Sequence, residues 1–268
     1  MNILILGTGK IEQNLIDVCL RSKMLNKIYT ASSESLENIP NIEYSDWSDF
    51  VKKAKTLQID IVLVVDRFLI EEGFVDFCKK HYLNVISVNK KWFNLESSKL
   101  IAKQLLNHYT INTPQIIRVP AAFPVVIKSD ISNLTKIAYS MSDVVKIKED
   151  YKASEFFLES YLDGEVTNIL SFWDGKTLLH INPRINMTEV QLDRLEFLKT
   201  KFNFMYSDEK PDFIGFFITK IIWSKNDWYV LELTMRLDES FDINTLDVDF
   251  LYLLNALIYQ KLDEIKVE

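Results

Sequence analysis

Val230-Leu231-Glu232-Leu233-Thr234-Met235-Arg236 carries the clearest chemical pattern in the chain. Strand side chains alternate between faces, so Glu232, Thr234 and Arg236 share one face while Leu231, Leu233 and Met235 take the core face. Such a row presents either a magnesium ligand followed by a phosphate or carboxylate clamp, or a solvated sheet face. Lys128 ends the apolar run Pro124-Val125-Val126-Ile127, so its ammonium must reach a cleft or the surface. Gly7-Thr8-Gly9 stands between an apolar run and a helical pattern, the setting of a phosphate-binding loop or of a plain tight turn. Glu12 occupies the place of the third glycine of a dinucleotide fingerprint. Leu95-Glu96-Ser97-Ser98-Lys99 opens a helix, with Ser97 or Ser98 as the N-cap and Glu96 beside its positive end. His81, His108 and His180 are scattered, and no HExxH, CxxC or GxSxG occurs. A zinc site or a serine or cysteine nucleophile is therefore not expected.

These residues need elements to position them. In the first third, strand and helix signals alternate. Asn2–Leu6 and Asp60–Val65 read as buried strands, with weaker ones at 27–30 and 84–88. Helical spacing fills 11–22, 47–55 and 71–81. That alternation predicts a parallel, doubly wound sheet. A strong helix over 97–109 closes this unit, and Thr113-Pro114 ends it. Beyond it the pattern becomes α+β. Strands are expected at 124–128, 143–147, 156–161, 166–173 and 177–181, with a hairpin at Asp174-Gly175. A helix at 189–201 follows, then a hairpin of 213–223 with 228–235, and a terminal helix at 248–262. The expected domains are 1–112, doubly wound, and 113–268, α+β.

Composition narrows the function classes. The chain has 268 residues, 48% hydrophobic and 26% charged, enough for a sizeable core without staples. A net charge of −7 argues against nucleic-acid binding. No stretch approaches the roughly 18 apolar residues of a membrane span, and no leader pattern opens the chain. Cys19 and Cys78 sit in apolar helical stretches and read as reduced core residues, which fits a cytoplasmic protein. Only six glycines occur, and phosphate-cradling loops need glycine. Oligomeric state is not legible.

Read in order, the segments resemble phosphoribosylamine–glycine ligases, which are ATP-grasp enzymes of purine synthesis. NILILGTGKIEQNL is similar to that family's opening strand, glycine turn and helix start. IDIVLVVDRFLIEEGFVDF resembles its strand–loop–helix around a Gly-Pro-Glu loop. LESSKLIAKQLLNHYTINTP resembles its Leu-Glu-Gly-Ser-Lys helix. FPVVIKSD, FFLESYLDGEVTNILSFWDGKTL and YVLELTMRLDES resemble its lysine strand, its hinge with hairpin, and its metal-binding strand. Order and approximate separations are kept over residues 2–240.

The resemblance implies a pre-ATP-grasp domain followed by an ATP-grasp-like domain with a lid at about 128–162, ATP and Mg²⁺ as cofactors, and amine and carboxylate substrates such as phosphoribosylamine and glycine. It implies that Lys99, Lys128 and Lys136 hold phosphates. Glu159 and Leu162 belong to the adenine hinge, and Glu165 contacts the ribose. Gly7, Gly9, Lys10, Glu12 and Arg67 lie on the substrate side. Glu232 and Thr234 stand at the metal, and Arg236 lies at the acyl-phosphate and amine site, with Lys128 and Arg236 catalytic. The chemistry implied is ATP-dependent ligation through an acyl phosphate.

The sequence departs from the family at identifiable places. The Gly-Pro-Glu loop reads Val65-Asp66-Arg67. The glycine-rich lid loop reads Ser132 to Ile137, with Lys136 alone recognisable. The metal-site asparagine is Thr234, and the lid is trimmed. These losses point to an alternative, a catalytically inactive ATP-grasp-like binding or partner protein.

Overall fold

Runs of branched apolar residues build the centre of the first sheet. β1 (Asn2–Leu6), β2 (Lys27–Thr30), β3 (Ile61–Val64) and β4 (Val85–Ile86) are parallel, in the order β2-β1-β3-β4. A computed structural model describes residues 1–7, 9–32, 38–130, 134–151 and 155–266. Thr8 and the lid-loop residues Ser132 and Asn133 therefore lie outside the described residues. Both faces of the sheet are covered, which is why its central strands β1 and β3 are almost wholly apolar, while the edge strand β2 carries Lys27 and Thr30. Leu4, Leu6, Val62 and Val64 pack against α2 (Trp47–Thr56) and α4 (Phe74–Lys80). Ile3, Ile5, Ile61 and Leu63 pack against α1 (Gly9–Leu20) and α9 (Phe250–Ile258). The last helix of the chain thus closes its first sheet.

Between α2 and α4 lies α3 (Arg67–Glu72). The sequence predicts one helix over 71–81, but Gly73 at φ +88° ends α3 and starts α4. A left-handed residue cannot continue a helix, and glycine adopts that conformation without a side-chain clash. After β4 come α5 (Lys90–Ser97) and α6 (Lys99–His108). Ser98 is the cap between them, its hydroxyl accepting from the Ile101 amide at 3.1 Å.

A small antiparallel sheet follows, in the order β5-β8-β6-β7: β5 (Ile116–Ile117), β6 (Val125–Lys128), β7 (Thr135–Ala138) and β8 (Phe157–Ser160). The strand expected at 143–147 is instead part of α7 (Met141–Tyr151). Ser140 accepts from the Asp143 amide at its start, and Val144 alone turns fully into the core, a helical rather than an alternating pattern. β8 pairs with β5 and β6, and not with the strands after it.

The third sheet, β10-β9-β11-β12, is antiparallel: β9 (Glu165–Trp173), β10 (Leu178–Ile181), β11 (Gly215–Ser224) and β12 (Asp227–Thr234). Both predicted hairpins are present. α8 (Glu189–Glu209) runs eight residues beyond the predicted helix, opened by a Thr188–Gln191 capping box and stopped by Lys210 at φ +46°. The first and third sheets join edge to edge, where the Ser87 amide donates to Ile214 O at 2.8 Å. A Cβ on Gly215 would lie 3.0 Å from the Ser87 carbonyl carbon, so this close approach needs glycine. Apolar packing is continuous across residue 112. Leu4 and Val64 share one core with Ile169, Phe217 and Trp228, and Ile3 and Leu63 share the other with Leu170 and Phe172. Among the described residues, the small sheet has a core of its own, around Val125, Ile127 and Leu158.

Candidate functional site

β12 positions the E-x-T-x-R row, and one irregularity decides what it faces. Ile221 pairs with Val230 but Lys220 pairs with Glu232, so Leu231 is an extra residue in β12. A bulge of this kind re-aims neighbouring side chains. Leu231 is thereby removed from the core face where alternation had placed it. Leu233 and Met235 remain buried, as expected.

Two clefts meet at this bulge. The first, of about 290 Å³, is mainly apolar and lies between the small sheet and the third sheet. Val126, Ile137, Leu162, Val166, Ile222 and Leu231 line it, with Lys128 and Glu159 on its wall. The second, of about 220 Å³, is polar. It brings together Arg67, Lys99, Glu232, Thr234 and Arg236, all picked out in the sequence, and adds Glu96, Lys220 and Asp238. Lys220 and Glu232 line both clefts.

Arg236 is oriented by Glu96. Its Nε lies 3.1 Å from Glu96 Oε1, and Glu96 Oε2 accepts from the Met235 amide at 2.8 Å. Burial pushes the Glu96 carboxyl above its ordinary range, and the Arg236 guanidinium partly offsets that. Glu96 was legible only as a charge near a helix start. Its partner is far away in sequence. Arg67 follows the Asp66 cap of α3. It pairs with Glu71 at 3.0 Å and lies 6.0 Å from the centre of the Phe93 ring. Lys99 donates to Ser129 O at 3.3 Å. At the start of α6, Asp130 accepts from Ser98 Oγ at 2.8 Å and the Leu100 amide at 2.9 Å. The anion-attracting end of α6 is thus already occupied by a side chain of the protein.

Lys128 and Glu159 belong to a buried ionic cluster. Glu159 Oε2 lies 3.1 Å from Lys128 Nζ, and its Oε1 lies 3.0 Å from Lys103 Nζ. Lys128 also donates to Leu231 O at 3.1 Å, and Lys103 to Pro114 O at 2.7 Å. The Glu159 side chain is 1% exposed, and both its carboxylate oxygens are engaged by the two lysines. Burial lowers the Lys103 pKa, and the Glu159 carboxylate opposes that shift. Sequence reasoning missed Lys103, although its i,i+3 spacing to buried Leu106 places it on the inward face of α6.

Other predicted residues lie elsewhere. Lys136 turns away from the apolar cleft and stands 6.0 Å from the centre of the Tyr151 ring. Its neighbours Thr135 and Ile137 take the cleft side, as alternation requires. Glu165 is exposed and lines neither cleft, while Gly164 and Val166 beside it line the first. Gly7 ends β1 against Val65, where an added Cβ would meet the Val65 side chain at 2.9 Å. Gly9, at φ +61°, starts α1. Lys10 is exposed and Glu12 buried. These four lie at the carboxyl end of β1, outside the two clefts, and only Arg67 of the substrate-side group reaches the polar cleft. Cys19 and Cys78 are buried, and burial pushes both thiols up to about 12, which makes them unreactive. Among the described residues no helix is long and apolar enough to cross a membrane, and no group of three or more His, Cys, Asp or Glu could hold a metal ion.

No family profile matches the chain. Individual relatives do. Phosphoribosylamine–glycine ligase from Clostridium acetobutylicum is 24% identical over 325 aligned positions, covering 100% of this chain and 77% of that protein. The Fusobacterium nucleatum ligase is 23% identical, with 100% and 76% covered. The first alignment is longer than the 268 residues of this chain, so the relative carries insertions that this chain lacks. The crystal structure of phosphoribosylamine–glycine ligase from Thermotoga maritima aligns with a TM-score of 0.74 at 18% identity, covering 100% of this chain and 77% of that one. This chain has the ATP-grasp fold. D-alanine–D-alanine ligase from Bacillus anthracis, solved with ATP, aligns over 100% of both chains with a TM-score of 0.64 at 18% identity. The expected order of a parallel sheet followed by antiparallel sheets, and the resemblance to phosphoribosylamine–glycine ligases, both stand.

Proposed function

We propose that this ATP-grasp chain is an ATP-dependent carboxylate–amine ligase of the phosphoribosylamine–glycine ligase type. One observation carries the reading. An apolar cleft and a charged cleft meet at a single cross-strand pair, Lys220 and Glu232. The apolar cleft suits a purine base. Among the described residues, the peptide groups of Tyr161 and Leu162 beside it make no backbone hydrogen bond, which leaves them free for a base edge. The polar cleft suits the acid and the amine, with Arg236 held ready by Glu96 as a carboxylate clamp.

The donor set fits a magnesium ion that arrives with the nucleotide. Glu232 is exposed and free of ion pairs among the described residues, and Thr234 adds a hydroxyl on the same strand. Mg²⁺ is commonly held by one or two carboxylates together with substrate phosphates. When bound it neutralises phosphate charge. In the proposed reaction the γ-phosphoryl group passes from ATP to the carboxylate oxygen, and ADP leaves. The amine then attacks the acyl carbon and the C–N bond forms; the acyl C–O bond breaks, inorganic phosphate leaves with the electron pair, and the amine nitrogen gives up a proton to solvent or to that phosphate. The protein's part is positioning and charge neutralisation by Lys99 and Arg236.

A second reading has its own observation: Lys128 is already engaged by Glu159 and Leu231 O, and Lys136 points away. A chain of this kind would bind nucleotide without ligating. ADP release with paired amines and carboxylates, phosphoribosylamine with glycine first, separates the two. Release that needs both substrates and falls at least about a hundredfold in Glu232→Gln supports the ligase. Mg-ATP binding with no release for any pair supports the inert reading.

A further inference from the structure

Lys220 is the one charged residue in the apolar strand Gly215-Phe216-Phe217-Ile218-Thr219-Lys220-Ile221-Ile222-Trp223-Ser224. It is half-buried, and among the described residues it forms no ion pair. Its cross-strand neighbours do not hold it. Asn168 on β9 donates its amide to Ser240 O, and the Glu232 carboxylate on β12 is not within ion-pair distance. A half-buried ammonium without a counter-charge has its charge left to offer a ligand. The missing partner has a place to sit, because Lys220 lines both the apolar and the polar cleft, at the point where they join.

Two of the lysines that the resemblance assigns to phosphate are committed elsewhere. Lys128 shares Glu159 with Lys103, and Lys136 lies over Tyr151. A polyphosphate running from the apolar cleft into the polar one would meet Lys99 at one wall and Lys220 at the junction. We infer that Lys220 is a phosphate-binding residue, supplying at the junction of the clefts the cation that Lys136 does not supply. A compact ammonium suits the task, since a phosphate chain needs a point charge there and not a planar fork. With Glu232 beside it, Lys220 would bind a phosphate oxygen while the carboxylate holds the metal side of the same group. This inference rests on the nucleotide reading above.

The test is titration calorimetry on the full chain, wild type, Lys220→Met and Lys220→Arg, with Mg-ATP and with adenosine. Thermal melting checks that the variants fold. The expected result is a loss of at least about tenfold in Mg-ATP affinity for Lys220→Met, no change for adenosine, and partial recovery in Lys220→Arg. Mg-ATP binding by Lys220→Met equal to wild type overturns the inference alone. An equal loss for adenosine also overturns it, because the residue would then act through the shape of the cleft. Absence of Mg-ATP and adenosine binding by wild type at millimolar ligand overturns the nucleotide reading with it.

Discussion

In the body formed by the first and third sheets, Phe172, Phe217 and Trp228 are no more than 1% exposed and belong to cores shared by both sheets. Among the described residues, the small sheet and α7 bury a separate core of six apolar residues, among them Val125, Ile127 and Leu158. The small sheet meets the body largely through directional polar contacts. Glu159 reaches Lys103 on α6, Lys128 reaches the Leu231 carbonyl on β12, and Asp130 reaches Ser98 and Leu100. Apolar burial is non-directional and ties the body into one cooperative unit. A few ionic contacts can part while exposing little apolar surface, so the small sheet can loosen alone. The cleft proposed for the nucleotide base lies between the two regions, where such loosening would admit a ligand.

The largest effect should come from the body. Phe217 stacks on Tyr206 with ring centres 5.1 Å apart. Phe217→Ala should cost about 3–5 kcal/mol of global stability in urea unfolding. A loss under about 1 kcal/mol would mean that the shared core is not what holds the body. Next, Glu159→Ala leaves Lys103 and Lys128 buried without a counter-charge, which should cost about 3 kcal/mol. Hydrogen exchange should show β6 and β8 amides losing protection while β1 and β3 keep theirs. Loss of protection in all four strands together would break the comparison.

Acid should act on the body through His180. His180 donates to or accepts from Ser171 Oγ at 2.8 Å, and burial lowers its pKa from 6.5 to about 4. The unfolded chain takes up a proton near the ordinary value, and the folded chain only near the lower one. Stability is therefore full above pH 6.5 and declines as pH falls toward 4. His180→Gln should flatten that slope in unfolding curves taken across the window. The smallest effect is at the joint: Ser98→Ala removes the α6 cap and a partner of Asp130, costing about 1 kcal/mol. A loss confined to α6 and the small sheet would sharpen the division between the regions.

Periodicity alone determined much of this protein. Uninterrupted branched runs such as Ile61–Val64 mark strands buried on both faces, and hairpins at Asp174-Gly175 and Lys225-Asn226 follow from local turn chemistry. The row Glu232, Thr234, Arg236 is legible because strand alternation is a local property. The order of six segments carried the resemblance to a ligase family. Lys220 carried the same signal as Lys128, a lysine in an apolar strand, and could have been found by it.

Other features were decided only in three dimensions. The bulge at Leu231 depends on the register between two strands, and no local pattern announces it. Glu96 orients Arg236 across 140 residues of sequence, and Glu159 joins lysines from α6 and β6. Whether Lys136 faces a cleft depends on which side of β7 meets the third sheet. A lysine's identity is written in the sequence, but the charge it has left to offer a ligand depends on the carboxylates that folding places beside it.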